Sequence, residues 1–138
     1  MIHYEFKNGK WSTLQMKDYL VKALAHDGFV RAYAVQATNT VAEAQRRHDT
    51  WHTSSAALGR TLVGSLLLGA TLKGEYKLTV RIQGDGPATG IVVDANGKGD
   101  VKGYIKNPHL SLPLNSEGKI DVRGAVGTQG MFTVTKDL

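Results

Sequence analysis

The period of hydrophobic and polar positions changes several times along this chain, and each change predicts an element. In residues 1–15, Tyr4 and Phe6 alternate with polar residues, Asn8-Gly9 is a two-residue hairpin signal, and Trp11 and Thr13 resume the alternation. A short leading hairpin is expected there. From Tyr19, the runs YLVKALA and FVRAYAVQA flank His26-Asp27-Gly28, and a type I′ turn centred on Asp-Gly would pair His26 with Phe29. That register puts Val21, Ala23, Ala25, Val30, Ala32 and Ala34 on one face, and Leu20, Lys22, Leu24, Arg31, Tyr33 and Val35 on the other. The alanine face permits close approach of another backbone and is assigned to the interior.

Residues 40–48 predict a short, mostly polar helix, with Thr40 and Glu43 spaced as a capping box. A second helix is expected over about residues 54–72, capped by Thr53 or Ser54. Its sequence, SSAALGRTLVGSLLLGATL, is apolar on nearly every side and almost long enough to span a bilayer. Arg60, three serines and the lack of flanking aromatic anchors argue against a membrane span, so the helix requires protein around it. Gly59, Gly64 and Gly69 mark three sides of that helix where neighbouring backbone is expected to come close.

Beyond the helix, KLTVRIQ, TGIVVDA and DVKGYIK are separated by glycine-rich turns and predict a three-stranded meander over residues 77–106. Leu78, Val80 and Ile82 share a dry face, and Val101 and Ile105 alternate with Lys102 and Lys106. HLSLPLN reads as extended, with Pro113 excluding a central strand. KIDVR and GMFTVTK read as two further strands. The expected fold class is α+β, with antiparallel β-sheets packed around a buried central helix and a short polar helix beside it.

Composition narrows the function. The chain has 138 residues, one domain's worth, and a formal net charge of +5 distributed along its length, which favours a solvated basic surface over a dedicated polyanion tail. It contains no cysteine, so disulfides, thiolate zinc sites and thiol redox chemistry of its own are excluded, and a cytoplasmic location is the default expectation. The first residues lack the apolar core of a signal peptide, and Met16 is a candidate second start, which leaves residues 1–15 as either a natural hairpin or an added leader.

Candidate chemistry is sparse. His48 and His52 stand four apart, but the helix is expected to break between them and no H-E-x-x-H pattern is present, so no metal site is assigned. G-D-G-P after a strand is read as a tight turn, since no helix follows it to make a phosphate cradle. Paired carboxylates and a G-x-S-x-G elbow are both lacking, so catalysis has no support and the chain is read as a non-enzyme. Gln45-Arg46-Arg47-His48 is the densest polar cluster. It supports an alternative reading, a basic nucleic-acid-binding module that also uses the lysine-bearing strands, although a salt-bridged helix face is the simpler account.

Particular runs carry a resemblance. QRRH followed by SAALGR, and QGDGP followed by VVDANGKGDVKGYIKNP, are similar to the amino-terminal part of the 33-kilodalton heat-shock protein family, and the resemblance covers residues 16–138. It implies an ATP-independent holdase chaperone of the bacterial stress response, redox-regulated, that binds unfolded client proteins. The family binds zinc through carboxy-terminal cysteines that this chain does not contain, so no cofactor is assigned here. On that resemblance, residues 16–138 are expected to be a core domain lacking its last strands and the redox sensor.

A holdase needs accessible apolar surface rather than catalytic residues. The candidate client-binding face is Leu20, Lys22, Leu24, Arg31, Tyr33 and Val35, where basic stems keep apolar area soluble. The competing reading is that this face packs under a missing part of the domain or against a partner chain. An unpaired sheet edge over residues 130–136 is expected to drive a homodimer or strand-exchanged assembly.

Overall fold

The computed structural model describes residues 2–15 and 17–137, the strands of the first hairpin by their backbone alone; Met16, the candidate second start, lies outside the described residues. That hairpin pairs β1 (Ile2–Lys7) with β2 (Lys10–Gln15), with Phe6 opposite Trp11, around Asn8 and Gly9 in the left-handed region. A second, separate hairpin follows, β3 (Tyr19–Ala25) with β4 (Val30–Gln36). Then come helices α1 (Thr38–His48) and α2 (His52–Gly69). Strands β5 (Lys77–Gly84), β6 (Gly90–Asn96) and β7 (Val101–Ile105) form the expected meander. A short helix α3 (Val122–Val126) precedes β8 (Gly130–Asp137), which returns to pair antiparallel with β5, giving the sheet order β7-β6-β5-β8. The fold is α+β, with antiparallel sheets and a central helix as expected.

The core forms where α2 lies on the inner face of the four-stranded sheet. Leu58 and Leu62 of the helix and Leu78, Val80, Ile91 and Val93 of the strands are almost fully buried. Each such side chain contributes on the order of 1.5–3 kcal/mol by leaving water. Four hydroxyl-bearing residues are buried on α2 as well, and each finds a partner. Thr61 and Ser65 donate to the carbonyls of Ala57 and Thr61 one turn back (2.9 and 2.7 Å). Thr53 and Ser54 instead hold the extended segment 107–112: the Ser54 hydroxyl donates to the Asn107 carbonyl (2.9 Å) and accepts from the Leu110 amide (3.0 Å), while Thr53 Oγ1 accepts from the Leu112 amide (2.9 Å). HLSLPLN is therefore extended as expected, but bonded to the start of a helix instead of to a sheet.

Several expectations are corrected. Helix α1 begins at Thr38, not residue 40, and no capping box forms. Its first turn is capped from a distance by Asp18, which accepts from the Asn39 amide (3.0 Å), the Thr40 amide (2.7 Å) and the Thr40 hydroxyl (2.6 Å). Glu43 turns toward Arg46 and Arg47 instead. Helix α2 spans His52–Gly69, shifted from 54–72, and Thr53 and Ser54 lie inside it. The segment after Gly69 tightens, with the Leu72 amide donating to the Gly69 carbonyl and the Thr71 hydroxyl to the Leu68 carbonyl. KIDVR is not a strand: Asp121 caps α3 by accepting from the Gly124 amide (2.8 Å), and that local bond overrides the apolar alternation.

The enclosure of α2 is also uneven. Its sheet-facing leucines are dry, but Val63 and Leu67 are half-buried and Leu68 is 38 % exposed. Two of its three glycines do mark close approaches. A Cβ on Gly59 would meet Val41 Cγ1 of α1 at 2.9 Å, and one on Gly69 would meet the Asn96 carbonyl at 2.8 Å. Gly64 has nothing within 4 Å. None of the close neighbours is the alanine-rich hairpin.

Candidate functional site

The hairpin β3–β4 has the expected strand register, Leu20 opposite Val35, Lys22 opposite Tyr33 and Leu24 opposite Arg31. Its turn is wider than predicted. The Gly28 amide donates to the Ala25 carbonyl and the Phe29 amide to the His26 carbonyl, with His26, Asp27 and Gly28 all in the left-handed region, so the ladder ends at Ala25 and Val30 and His26 does not pair with Phe29. The two overlapping turns displace Phe29 from the ladder and leave it 91 % exposed at the tip.

The faces are the reverse of the expected ones. Ala23, Ala25, Ala32 and Ala34 are all exposed, and Val21 and Val30 with them. Leu20, Tyr33 and Val35, from the face assigned to solvent, are half-buried, as is Gln36 at the end of β4. Leu20 and Val35 line a small cleft with Ala37 and Leu66 at the hairpin's base. The physical reason is reach: leucine and valine side chains span the gap to α2, whereas alanine methyls bring little apolar area to any contact. Of the six candidate residues, Lys22, Leu24 and Arg31 remain exposed, Leu24 by 69 %. The accessible apolar surface therefore comprises both faces of the outer hairpin together with its tip.

A second apolar surface lies at β8. Its inner-face residues Phe132 and Val134 stand beyond the cover of α2, and Phe132 is 61 % exposed. Between them and the helix runs a groove of about 250 Å³ lined by Thr61, Gly64, Val80, Ile82, Val126 and Phe132. Sequence reasoning found this edge and missed the groove, because it read Gly64 as a close approach where the structure is open.

The polar cluster at the end of α1 is self-satisfied. Glu43 accepts from Arg46 (2.7 Å) and Arg47 (2.7 Å), and these two guanidinium hydrogen bonds hold its carboxyl down at about 2. Asp49, in the left-handed region, ends the helix, so His48 and His52 belong to different helices. His52 lies 3.3 Å from the Ser111 hydroxyl, and His109 stacks on Trp51 with ring centroids 5.0 Å apart. Among the described residues no three His, Asp or Glu side chains are grouped to hold a metal. The G-D-G-P turn is structural: Asp85 Oδ1 accepts from the amides of Thr128 (2.9 Å) and Gln129 (3.2 Å), anchoring the approach to β8.

Residues 18–138 match the family described as Hsp33 protein. The chain belongs to the Hsp33 family. It is 72 % identical over 123 residues to the 33 kDa chaperonin of Enterococcus faecalis, a match covering 89 % of this chain and 41 % of that protein. It is 63 % identical over 121 residues to the 33 kDa chaperonin of Bacillus velezensis, covering 88 % and 42 % respectively. Among solved structures, the 33 kDa chaperonin of Thermotoga maritima superposes with a TM-score of 0.83 at 36 % identity, over 86 % of this chain and 41 % of that one. The chain thus spans about two fifths of the length of the Hsp33 relatives it matches. Both surfaces described above, the β3–β4 hairpin and the β8 edge, lie within the Hsp33 region.

Proposed function

We propose that this chain is the client-holding part of an ATP-independent chaperone that keeps unfolding proteins from aggregating under heat and oxidative stress, and that it acts without catalysis. The observation that carries the reading is the β3–β4 hairpin, an apolar projection with Phe29, Leu24, Val21 and Val30 exposed and with Lys22 and Arg31 among them. Such a surface gains about 25 cal/mol for each Å² of client apolar area it removes from water, before ordering costs. Its cationic stems keep it soluble when no client is bound. The family name shared by its relatives, 33 kDa chaperonin, supports the same reading.

On this reading any zinc-dependent switching would use residues outside this chain, which has no cysteine. The nucleic-acid alternative loses its main element, because Arg46 and Arg47 are committed to Glu43. A soluble, cytoplasmic setting is the proposed one; no helix among the described residues is long and apolar enough to cross a membrane.

The test is light scattering from a thermally unfolding client protein with increasing amounts of the chain. Suppression in proportion to added protein is expected, and replacement of both Leu24 and Phe29 by serine should abolish most of it while leaving the melting temperature unchanged. Salt-sensitive RNA binding without any suppression would overturn the proposal.

A further inference from the structure

The chain holds two Asn-Gly pairs, Asn8-Gly9 and Asn96-Gly97. Such a pair is chemically labile, because glycine has no side chain to keep its amide nitrogen from the preceding carboxamide carbon, and asparagine is thermally fragile for that reason. Asn8-Gly9 sits exposed at the tip of the first hairpin. Asn96-Gly97 opens the turn between β6 and β7, and there both residues are bonded. The Asn96 carboxamide is used at both ends: Oδ1 accepts from the amides of Lys98 (2.9 Å) and Asp100 (3.0 Å), and Nδ2 donates to Asp100 Oδ2 (3.1 Å). The Gly97 amide donates to the Tyr76 carbonyl (3.1 Å).

The turn lies tight against the segment that follows α2. A Cβ on Gly97 would meet the carbonyls of Leu72 and Gly74 at 2.8 and 2.9 Å, and Lys98 ties the turn to the same segment through Glu75. Yet Asn96 and Gly97 are only half-buried, Lys98, Gly99 and Asp100 are exposed, and so are residues 73–77 opposite them. Water and base therefore reach the turn, and bonding rather than burial keeps the Gly97 nitrogen from the Asn96 carboxamide. Few apolar contacts hold the covering segment down, which makes its release a local event that costs less than unfolding the chain.

We infer that Asn96 is a modification site gated by local opening, intact while Gly97 is bonded to Tyr76 and deamidated when residues 72–76 lift away. In the reaction a base removes the Gly97 amide proton, the nitrogen attacks Asn96 Cγ, and the carboxamide nitrogen leaves as ammonia to give a cyclic imide. Water then opens the ring at either carbonyl, leaving aspartate or, with an extra methylene in the main chain, isoaspartate. Base and water are the only co-reactants. Neither product can rebuild the turn. A carboxylate at position 96 has no N–H for Asp100 and sets a second negative charge beside it, and isoaspartate lengthens the backbone where Leu72 and Gly74 leave no room. The Asn96 carbonyl also lies where a methyl on Gly69 would touch it, so the loosening reaches the end of α2. The change is irreversible and accumulates in chains that heat has opened. The gate requires only that the turn be built as described, and it operates whether or not the chain holds clients.

The test follows the 138-residue chain at mildly alkaline pH by peptide mapping, which separates asparagine, aspartate and isoaspartate at each position, alongside hydrogen exchange of the Gly97 amide. Asn96 should convert at least about tenfold more slowly in the folded chain than in the same chain unfolded in urea, and the factor should shrink together with Gly97 exchange protection as temperature rises toward the melt. Asp100→Ala frees one end of the carboxamide and should speed conversion at Asn96 about threefold or more, with the rate at Asn8 unchanged. Asn96→Asp writes the product into the sequence and should lower the melting temperature by a few degrees. Conversion of Asn96 in the folded chain as fast as in urea would overturn the inference, because the turn would then provide no gate. So would an Asn96 that stays intact through prolonged incubation in urea, or one whose rate does not follow Gly97 exchange. An Asn96→Asp chain that melts with the wild type would show that the product rebuilds the turn.

Discussion

Asp18 shows how much one side chain outside a helix can determine. Burial alone would raise its carboxyl, but the Thr40 hydroxyl and the amides of Asn39 and Thr40 outweigh that and hold it below the ordinary carboxylate range. Asp18→Asn keeps the shape and removes the charge-assisted bonds, so a loss of about 1 kcal/mol is expected in urea unfolding. The sign of its pH dependence follows from the depressed value: the stabilisation is present above the unfolded-state pKa, near 4 for aspartate, and disappears as pH falls through the lower folded-state value. In the Asp18→Asn variant that part of the acid slope should vanish. Glu43 provides a second reading of the same kind. Its carboxyl should remain ionised down to about pH 2 in a carbon-detected NMR titration, and combined Arg46→Ala and Arg47→Ala replacement should return it toward an ordinary glutamate value. An unchanged titration in that double variant would show that the two guanidinium groups do not hold it.

At the scale of elements, much of the fold could be read from periodicity, and the failures have definite causes. The meander, the inward row Leu78, Val80 and Ile82, of which the first two are dry, and the register of β3 with β4 follow from period-two alternation between turn signals. The α1 cap did not, because its acceptor lies 22 residues away from Thr40 and no local motif encodes that contact. The faces of the β3–β4 hairpin were reversed because small side chains were taken as a sign of burial, while the contact was in fact set by the reach of Leu20 and Val35. Of the six candidate residues, the register was legible and the exposure was not. The glycines of α2 allow a sharper test, since the same residue type has different surroundings at each position. Gly64→Ala enters open space and should stabilise by about 0.5–1 kcal/mol through helix propensity. Gly69→Ala would press its methyl to 2.8 Å from the Asn96 carbonyl and 3.1 Å from Ala95 Cβ, so it should destabilise despite the same propensity gain. Thermal unfolding of the two variants checks both signs; stabilisation by Gly69→Ala would mean that β6 does not approach the helix as described.

For the molecule as a whole, the two edges of the large sheet differ in a way that bears on assembly. The Asp85 amide donates to the Gln129 carbonyl, which sets the pairing of β5 with β8 so that odd-numbered residues of β8 face β5 and Phe132, Val134 and Lys136 direct their backbone outward. At β7 the outward positions border a groove beside α1 whose lining carries both signs of charge, but at β8 they coincide with exposed apolar side chains and with the open groove beside Gly64. An edge that is long, apolar and unguarded on its outer side is the kind that pairs with another chain. A second copy offers the same edge, and two β8 strands can meet antiparallel about a two-fold axis. Sedimentation should therefore show association that strengthens with concentration. Val134→Lys places a charge in the inner row at the middle of that edge, where two-fold pairing would bring it near its own copy, and should shift the chain to monomer. Because Val134 is already partly exposed, the melting temperature at low concentration should change little. A wild-type chain that sediments as a monomer at high concentration would show that exposed backbone and apolar side chains at β8 are insufficient for pairing.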